Sequence, residues 1–151
     1  MPPVTHNHPK LTLEGARVAL DAAQRRSREI GVPMDIAVVD DGGHLFAFAR
    51  MDGAKLSSIA IAINKAHCAA VRRLPTGPVM NDGVENLRVS LALAIGSEAA
   101  QTPLRGGLPL AVEGQVVGAI GVSNGNEDQD TDVARAGVDA LAAACAAGAK
   151  G

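Results

Sequence analysis

The chain has 151 residues, a net charge of −2, two Phe and no Tyr or Trp. A slightly acidic chain has no basic field to attract nucleic acid or an anionic membrane, and without aromatic side chains it has no stacking platform for single-stranded bases. We therefore expect neither a nucleic-acid nor a membrane partner. The length suits one domain whose core is built from Ala, Val, Leu and Ile.

The first eleven residues differ in composition from the rest of the chain. Residues 1–11 contain three prolines, which predicts a flexible N-terminal arm, and residues 12–148 then form a single domain. His6 and His8 alternate along this arm and are interpreted as part of a solvated tail, with a metal or haem ligand role as the alternative. The N-terminus lacks the charged start and apolar centre of a secretion signal, and no apolar run approaches the roughly 18 residues of a membrane span. A cytoplasmic location is therefore expected.

A helix and a hairpin are predicted for the first part of the domain. Thr12 is suited to cap a helix whose apolar residues recur every three or four positions, and Gly31 is placed to end it. Residues 35–40 and 44–50 are strand-like and flank an Asp-Gly-Gly turn of the kind that tight hairpins need. The first hairpin is therefore predicted to follow the first helix directly.

Two helices are predicted next, over residues 56–73 and residues 81–95. The second of these is the weaker pattern, and its apolar spacing predicts that Val84, Leu87, Leu91 and Ile95 face inward. Pro75, between the two, prevents one helix from continuing into the other.

The densest pattern lies at residues 105–125. A glycine-marked loop leads into two apolar runs joined at Glu113-Gly114, which predicts a second hairpin. The second run is apolar on both faces, so it is predicted to lie centrally in the sheet, with Gly121 marking a close backbone approach. A final helix follows from Asp128. The predicted order α-β-β-α-α-β-β-α indicates an α+β domain in which two hairpins form an antiparallel sheet with flanking helices.

Five residues of the first hairpin and second helix are candidates for catalysis: His44, Arg50, Asp52, Lys65 and His67. A histidine or lysine near a carboxylate can perform general acid–base work, and an arginine can hold a substrate carboxylate in a bidentate pair. The alternative is that these residues have no catalytic role. His44 would then lie on a hairpin turn, Arg50 and Asp52 would pair on the surface, and Lys65 would be solvated.

The loop that enters the second hairpin supplies candidate ligand-binding residues: Arg105, Gly106, Gly107 and Leu108. Backbone N–H groups in a glycine-rich loop can cradle an anion. The alternative is that the glycines only permit tight turns and close packing.

Cofactor patterns are weak. No histidine or cysteine pair has the spacing of a zinc site, so no metal site is predicted. His67 and Cys68 are adjacent and point about 100° apart on a helix, so they cannot ligate one ion together. Single-histidine haem ligation stays open. No nucleotide-binding fingerprint is present, since Gly118 and Gly121 lie within a strand.

In combination, several stretches resemble the GlcG/HbpS-like family, which also supplies the C-terminal domain of PduO-type proteins. The resemblance spans about residues 11–145 and is carried by residues 11–16, 37–45, 50–52, 65–66, 106–109, 114–123 and 128–129. It implies an α/β sandwich-like domain that assembles into dimers and larger rings, up to octamers. It also implies a small-molecule-binding protein, with haem or a corrinoid as candidate ligands.

Two departures from the haem-sensing members stand out. Those members carry acidic residues for iron binding before the position of Lys65, where this chain has the apolar residues 59–63, and a threonine proposed as haem ligand where this chain has Leu108. Two hypotheses follow. The first is a small-molecule-binding protein of GlcG/HbpS type in a catabolic pathway, and the alternative is a cofactor-free hydrolase, lyase or isomerase. That enzyme would act on a small carboxylated metabolite such as an aromatic ring-cleavage product.

Overall fold

The fold is an antiparallel sheet with helices on both faces. A computed structural model describes residues 1–98 and 101–149. The elements in chain order are α1 (Leu13–Ile30), β1 (Asp35–Asp40), β2 (Leu45–Arg50), α2 (Ser57–Arg72), β3 (Met80–Asn81), β4 (Val84–Glu85), α3 (Leu87–Gly96), β5 (Gly107–Val112), β6 (Gln115–Ser123) and α4 (Glu127–Gly148). Within these ranges, no helix is both long enough and apolar enough to span a bilayer.

The two predicted hairpins form one four-stranded sheet in the order β2-β1-β6-β5, and each neighbouring pair is antiparallel. The α+β class is therefore confirmed. The central position predicted for the second strand of the second hairpin is also confirmed, because β6 pairs with β1 on one side and β5 on the other.

The helices form two layers. On one face of the sheet, α1 packs against α4 over a core that includes Met34, Ile36, Leu110 and Ile120. On the other face, α2 lies on the sheet through small side chains, chiefly alanine. This close approach depends on Gly121, where an added Cβ would collide with the Ala62 carbonyl oxygen. The close backbone approach predicted at this glycine is confirmed.

The region of the predicted third helix differs from the expectation. The helix begins only at Leu87, capped by Asn86, and the short hairpin β3–β4 precedes it. The hairpin turns at Asp82-Gly83, where both residues have positive φ. The predicted inward stripe is wrong, because Val84, Leu87, Leu91 and Ile95 are all exposed in this chain.

The N-terminal arm is held at the turn of the first hairpin. Lys10 Nζ lies 2.7 Å from the carboxylate of Asp41, and His8 Nε2 lies 3.4 Å from the same oxygen. Leu11, the last residue of the predicted arm, packs against the core. The C-terminal end of the arm therefore contacts the domain.

Candidate functional site

The five candidate catalytic residues lie in three different places. His44 precedes β2 and Arg50 ends it, which separates them by about 20 Å along an extended strand. Asp52 lies just beyond Arg50, whereas Lys65 is buried in the middle of α2 and His67 lies on the partly exposed side of that helix. The structure thus brings His44 and His67 together at the turn of the first hairpin, and Arg50 and Asp52 together at the far end of β2.

His67 is held in one tautomer by the hairpin turn. Its Nδ1 lies 3.1 Å from the carbonyl oxygen of Gly43. A carbonyl oxygen can only accept, so Nδ1 carries the hydrogen and Nε2 of the neutral ring keeps its lone pair. Gly43 has φ 84°, and a Cβ there would overlap the imidazole. The glycine therefore allows the turn to approach the histidine this closely.

His67 lines an open cleft of about 450 Å³ together with Gly43, Ala60, Ile63, Asn64 and Glu98. Its walls are mostly apolar, and Ile63 also packs against the alanine-rich core with Phe48. Glu98 is not predicted from the sequence, because nothing in its spacing marks it, whereas Asn64 lies three residues before His67 on the same face of α2. The cleft can take a flat apolar molecule and offer it one imidazole nitrogen.

His44 lies next to Gly43 but is directed to solvent. Its side chain is 82% exposed, and its Nδ1 is 3.3 Å from Asp40 Oδ1. The same carboxylate oxygen accepts the backbone N–H of Gly42 and of His44, so Asp40 organises the turn. His44 thus lies at the same turn as His67 without lining its cleft.

Lys65 forms a buried ion pair that sequence reasoning missed. Its Nζ donates to Asp130 Oδ2 at 2.7 Å and to the Val122 carbonyl at 2.9 Å, and both side chains are under 5% exposed. Asp130 also accepts the Gly125 N–H. Burial raises the pKa of Asp130, while Lys65 and this N–H oppose that shift. The pair joins α2 to α4 around the end of the sheet.

The predicted ligand-binding loop packs around this ion pair. A Cβ on Gly106 would lie 2.8 Å from Asp130 Cβ and 3.0 Å from Lys65 Nζ, so only glycine fits there. The N–H of Gly107 donates to Thr76 Oγ1 at 2.9 Å, and Leu108 is buried. The Gly107 donor is therefore already used inside the protein.

Arg105 is the exposed member of the same loop. Its guanidinium lies 3.2 Å from Glu85 and 3.6 Å from Glu127, and its backbone N–H donates to Glu127 at 2.7 Å. It lines a cleft at the C-terminal end of α2. Arg105 is thus the member of the predicted loop that a ligand can reach.

Arg50 and Asp52 line a separate polar cleft of about 340 Å³ together with Gln24, Arg28 and Met51. In the sheet register Arg50 lies opposite Asp35. Both residues are remote from His67, so this cleft offers charge without the imidazole.

The remaining candidate ligand is Cys68. Burial raises the pKa of its thiol to about 11, which keeps it protonated at neutral pH. Over residues 1–98 and 101–149, no three His, Cys, Asp or Glu side chains converge as a metal site would require.

Comparison with known proteins gives a consistent result. Residues 11–139 match the family described as "Haem degrading protein HbpS-like". Protein GlcG of Escherichia coli K12 is 36% identical over 113 residues, which is 75% of this chain and 81% of GlcG.

Two solved structures share the fold. The ORFY protein of Klebsiella pneumoniae superposes with a TM-score of 0.83 at 30% identity, covering 95% of this chain and 98% of ORFY. The complex of PduOC with haem has a TM-score of 0.75 at 24% identity, covering 87% and 95%, and shows likeness of fold alone. With the family match over most of its length and the GlcG and ORFY relationships, the chain belongs to the HbpS-like family.

Proposed function

We propose that this protein binds a metal-centred tetrapyrrole, haem in the first instance, in the cleft lined by His67. The observation that carries the proposal is the hydrogen bond from His67 Nδ1 to the Gly43 carbonyl. A backbone acceptor on one ring nitrogen fixes the tautomer and leaves the lone pair of the other nitrogen available, which is the usual arrangement for a metal-ligating histidine.

The residues of the cleft fit such a ligand in two respects. Ala60 and Ile63 offer apolar wall to a macrocycle, and His67 Nε2 offers the imidazole ligand. His67 Nε2 would hold a bound haem, and the haem would supply an iron centre. Glu98 at the cleft disfavours carboxylates nearby, so the haem propionates are expected to stay at the open rim in water. Arg50 and Asp52 lie elsewhere, which favours binding over acid–base catalysis as the role of this cleft.

The relatives support this choice of ligand class. The matching family is described as haem-degrading, and PduOC was solved with haem bound. In this chain, the His67 cleft offers haem a specific ligand atom, the Nε2 nitrogen of His67. It also replaces the candidate ligand position that Leu108 cannot fill, because that side chain is apolar and buried.

The test is a haem titration monitored by visible absorption. The chain has no Tyr or Trp and is nearly transparent at 280 nm, so ligand bands dominate its spectrum. We expect a saturable Soret shift at one haem per chain, and in His67→Ala weaker binding with the Soret band at a different wavelength. His44→Ala is the matched control, because it removes a histidine at the same turn that does not line the cleft.

Two outcomes contradict the proposal. Spectra of His67→Ala that match those of the unsubstituted protein would remove His67 as the ligand. No saturation with haem would remove haem itself, and cobalamin, which also ligates imidazole, is then the second titrant. Failure of both titrations would exclude tetrapyrrole binding altogether.

We further propose that the protein is a homo-oligomer in which α3 packs against a second copy. The helix is apolar on nearly every side, and within the described chain it buries only Ser90. Leu91 is 47% exposed and Ile95 is 84% exposed. Exposed apolar residues gathered on one helix mark an interaction surface rather than ordinary solvent-facing structure.

Light scattering coupled to size exclusion tests the oligomer. Ile95→Lys together with Leu91→Glu is expected to reduce the measured mass of the assembly. Leu56→Glu changes an equally exposed apolar residue that lies outside α3 and serves as the control. A monomeric unsubstituted protein, or an assembly that both changes leave intact, would contradict the role of α3.

A further inference from the structure

We propose that the cleft at the C-terminal end of α2 is a second ligand site, which binds a small organic carboxylate. This carboxylate cleft has a volume of about 430 Å³ and lies between the end of α2, the segment that follows it and the Arg105 loop. It shares no lining residue with the His67 cleft. The two sites are therefore separate.

Two arginines supply the positive charge of the carboxylate cleft, which has no acidic residue in its lining. Arg72 is exposed and makes no hydrogen bond or ion pair within the part of the chain that the structure describes. Arg105 does pair with Glu85 and Glu127, but these contacts are solvent-exposed and such pairs are weak and exchangeable. A guanidinium has five donors, so Arg105 keeps free N–H groups beside its two partners.

Gln101 is the observation that points to a ligand. The residue lines the cleft and is only 6% exposed, and its side-chain amide makes no hydrogen bond with residues 1–98 and 101–149. Its polar atoms are not sealed from the cleft, so its donors and its acceptor are available to a bound molecule. A ligand that offers a hydroxyl or carbonyl group would satisfy it.

Thr76 adds a second buried polar group. Its Oγ1 accepts the Gly107 N–H at 2.9 Å, which leaves its own hydrogen to donate. The rest of the lining is largely apolar and includes Leu74, Val79 and Met80. The chemistry that fits is a carboxylate on a short apolar body with one further hydrogen-bonding group.

Isothermal titration calorimetry of the full chain with benzoate, 3-hydroxybenzoate and inorganic phosphate tests the proposal. We expect saturable binding of both benzoates, tighter for the hydroxylated one. Arg72→Gln removes a charge-assisted hydrogen bond, so both should bind roughly 10- to 100-fold more weakly. Gln101→Leu should abolish the preference for 3-hydroxybenzoate and leave benzoate binding intact.

Arg73→Gln is the matched control, because it removes an equal charge from the next residue, which does not line the cleft. Equal weakening by Arg72→Gln and Arg73→Gln would reduce the effect to general electrostatics and overturn the site. Absence of saturable binding, or phosphate binding as tight as benzoate binding, would overturn the ligand class. Circular dichroism checks each variant. If Gln101→Leu does not fold, the comparison of Arg72 with Arg73 decides alone.

Discussion

Two carboxylates are buried at the same end of the sheet, and they differ in their hydrogen bonding. Asp130 receives hydrogen bonds from Lys65 and from the Gly125 N–H. Asp35 begins β1 opposite the last residue of β6, is 0% exposed, and neither of its oxygens has a hydrogen-bond partner within the described chain. Hydrogen bonds offset the free-energy cost of removing the Asp130 charge from water, whereas no hydrogen bond offsets that cost at Asp35.

The two carboxylates differ in role, because Asp130 belongs to a structural ion pair and Asp35 is a group whose charge can change with pH. Because Lys65 and Asp130 belong to different helices on opposite faces of the sheet, their pair fixes how those layers meet. Asp35 has only the nearby charge of Arg50, and burial, the larger effect, raises the pKa of its carboxyl. One carboxylate therefore holds the fold together, while the other keeps a charge state that depends on pH.

The largest expected effect comes from breaking the satisfied pair. Lys65→Met leaves Asp130 buried without its cation, which should lower the free energy of unfolding by about 3–5 kcal/mol. Loss of the lysine also raises the pKa of Asp130 further. The folded state then holds a proton that the unfolded state releases as pH rises, so the loss should be greater at pH 8 than at pH 5. Urea unfolding at both pH values measures it.

The double variant Lys65→Met, Asp130→Leu is the control for this change. With both charges removed, the buried groups no longer need compensation, and stability should recover above that of the single variant. A single variant as stable as the unsubstituted protein, or a double variant less stable than the single one, would contradict the role of the pair.

The sequence predicted the sheet well because its signals are local. The apolar run of β1, the turn at Asp41 and the doubly apolar β6 are each defined by a few neighbouring residues. The Thr12 cap bonds as expected, with its side chain accepting the Gly15 N–H. Asp82-Gly83 is an equally local hairpin signal. The helix predicted from the spacing of Val84 to Ile95 extends across this turn, so the sequence predicts one helix where the structure has β3–β4 followed by α3.

The site was harder to predict because its contacts are distant in sequence. His67 and Arg105 were candidates from residue type alone. Asp130 lies in the first turn of α4, where the helix dipole favours negative charge, and no neighbouring residue indicates a contact with a lysine 65 positions earlier. Gln101 carries no motif at all. Its significance comes from its place in the lining of the carboxylate cleft, which only the folded structure defines.

The next effect tests the unsatisfied carboxylate. Asp35→Asn removes a charge that has no partner, so at neutral pH it should stabilise the protein by about 1 kcal/mol, or about 2–4 °C in Tm. A carboxyl with a raised pKa contributes stability below its unfolded pKa of about 3.9 and loses it as pH rises through the folded pKa. The gain should therefore shrink toward pH 4. Thermal melts from pH 4 to pH 8 measure it, and a gain independent of pH would contradict a titrating Asp35.

The smallest effect concerns Arg50, whose charge lowers the pKa of Asp35 against the effect of burial. Arg50→Gln should raise that pKa and cost roughly 0.2–1 kcal/mol at pH 7, as expected for a partly exposed charge pair. In the Asp35→Asn background the same change should cost nothing, since no charge remains for Arg50 to stabilise. Arg28→Gln, which removes another arginine from the same cleft, should be neutral in both backgrounds. A cost for Arg50→Gln that persists without Asp35 would mean that Arg50 acts through its cleft rather than through the buried carboxylate.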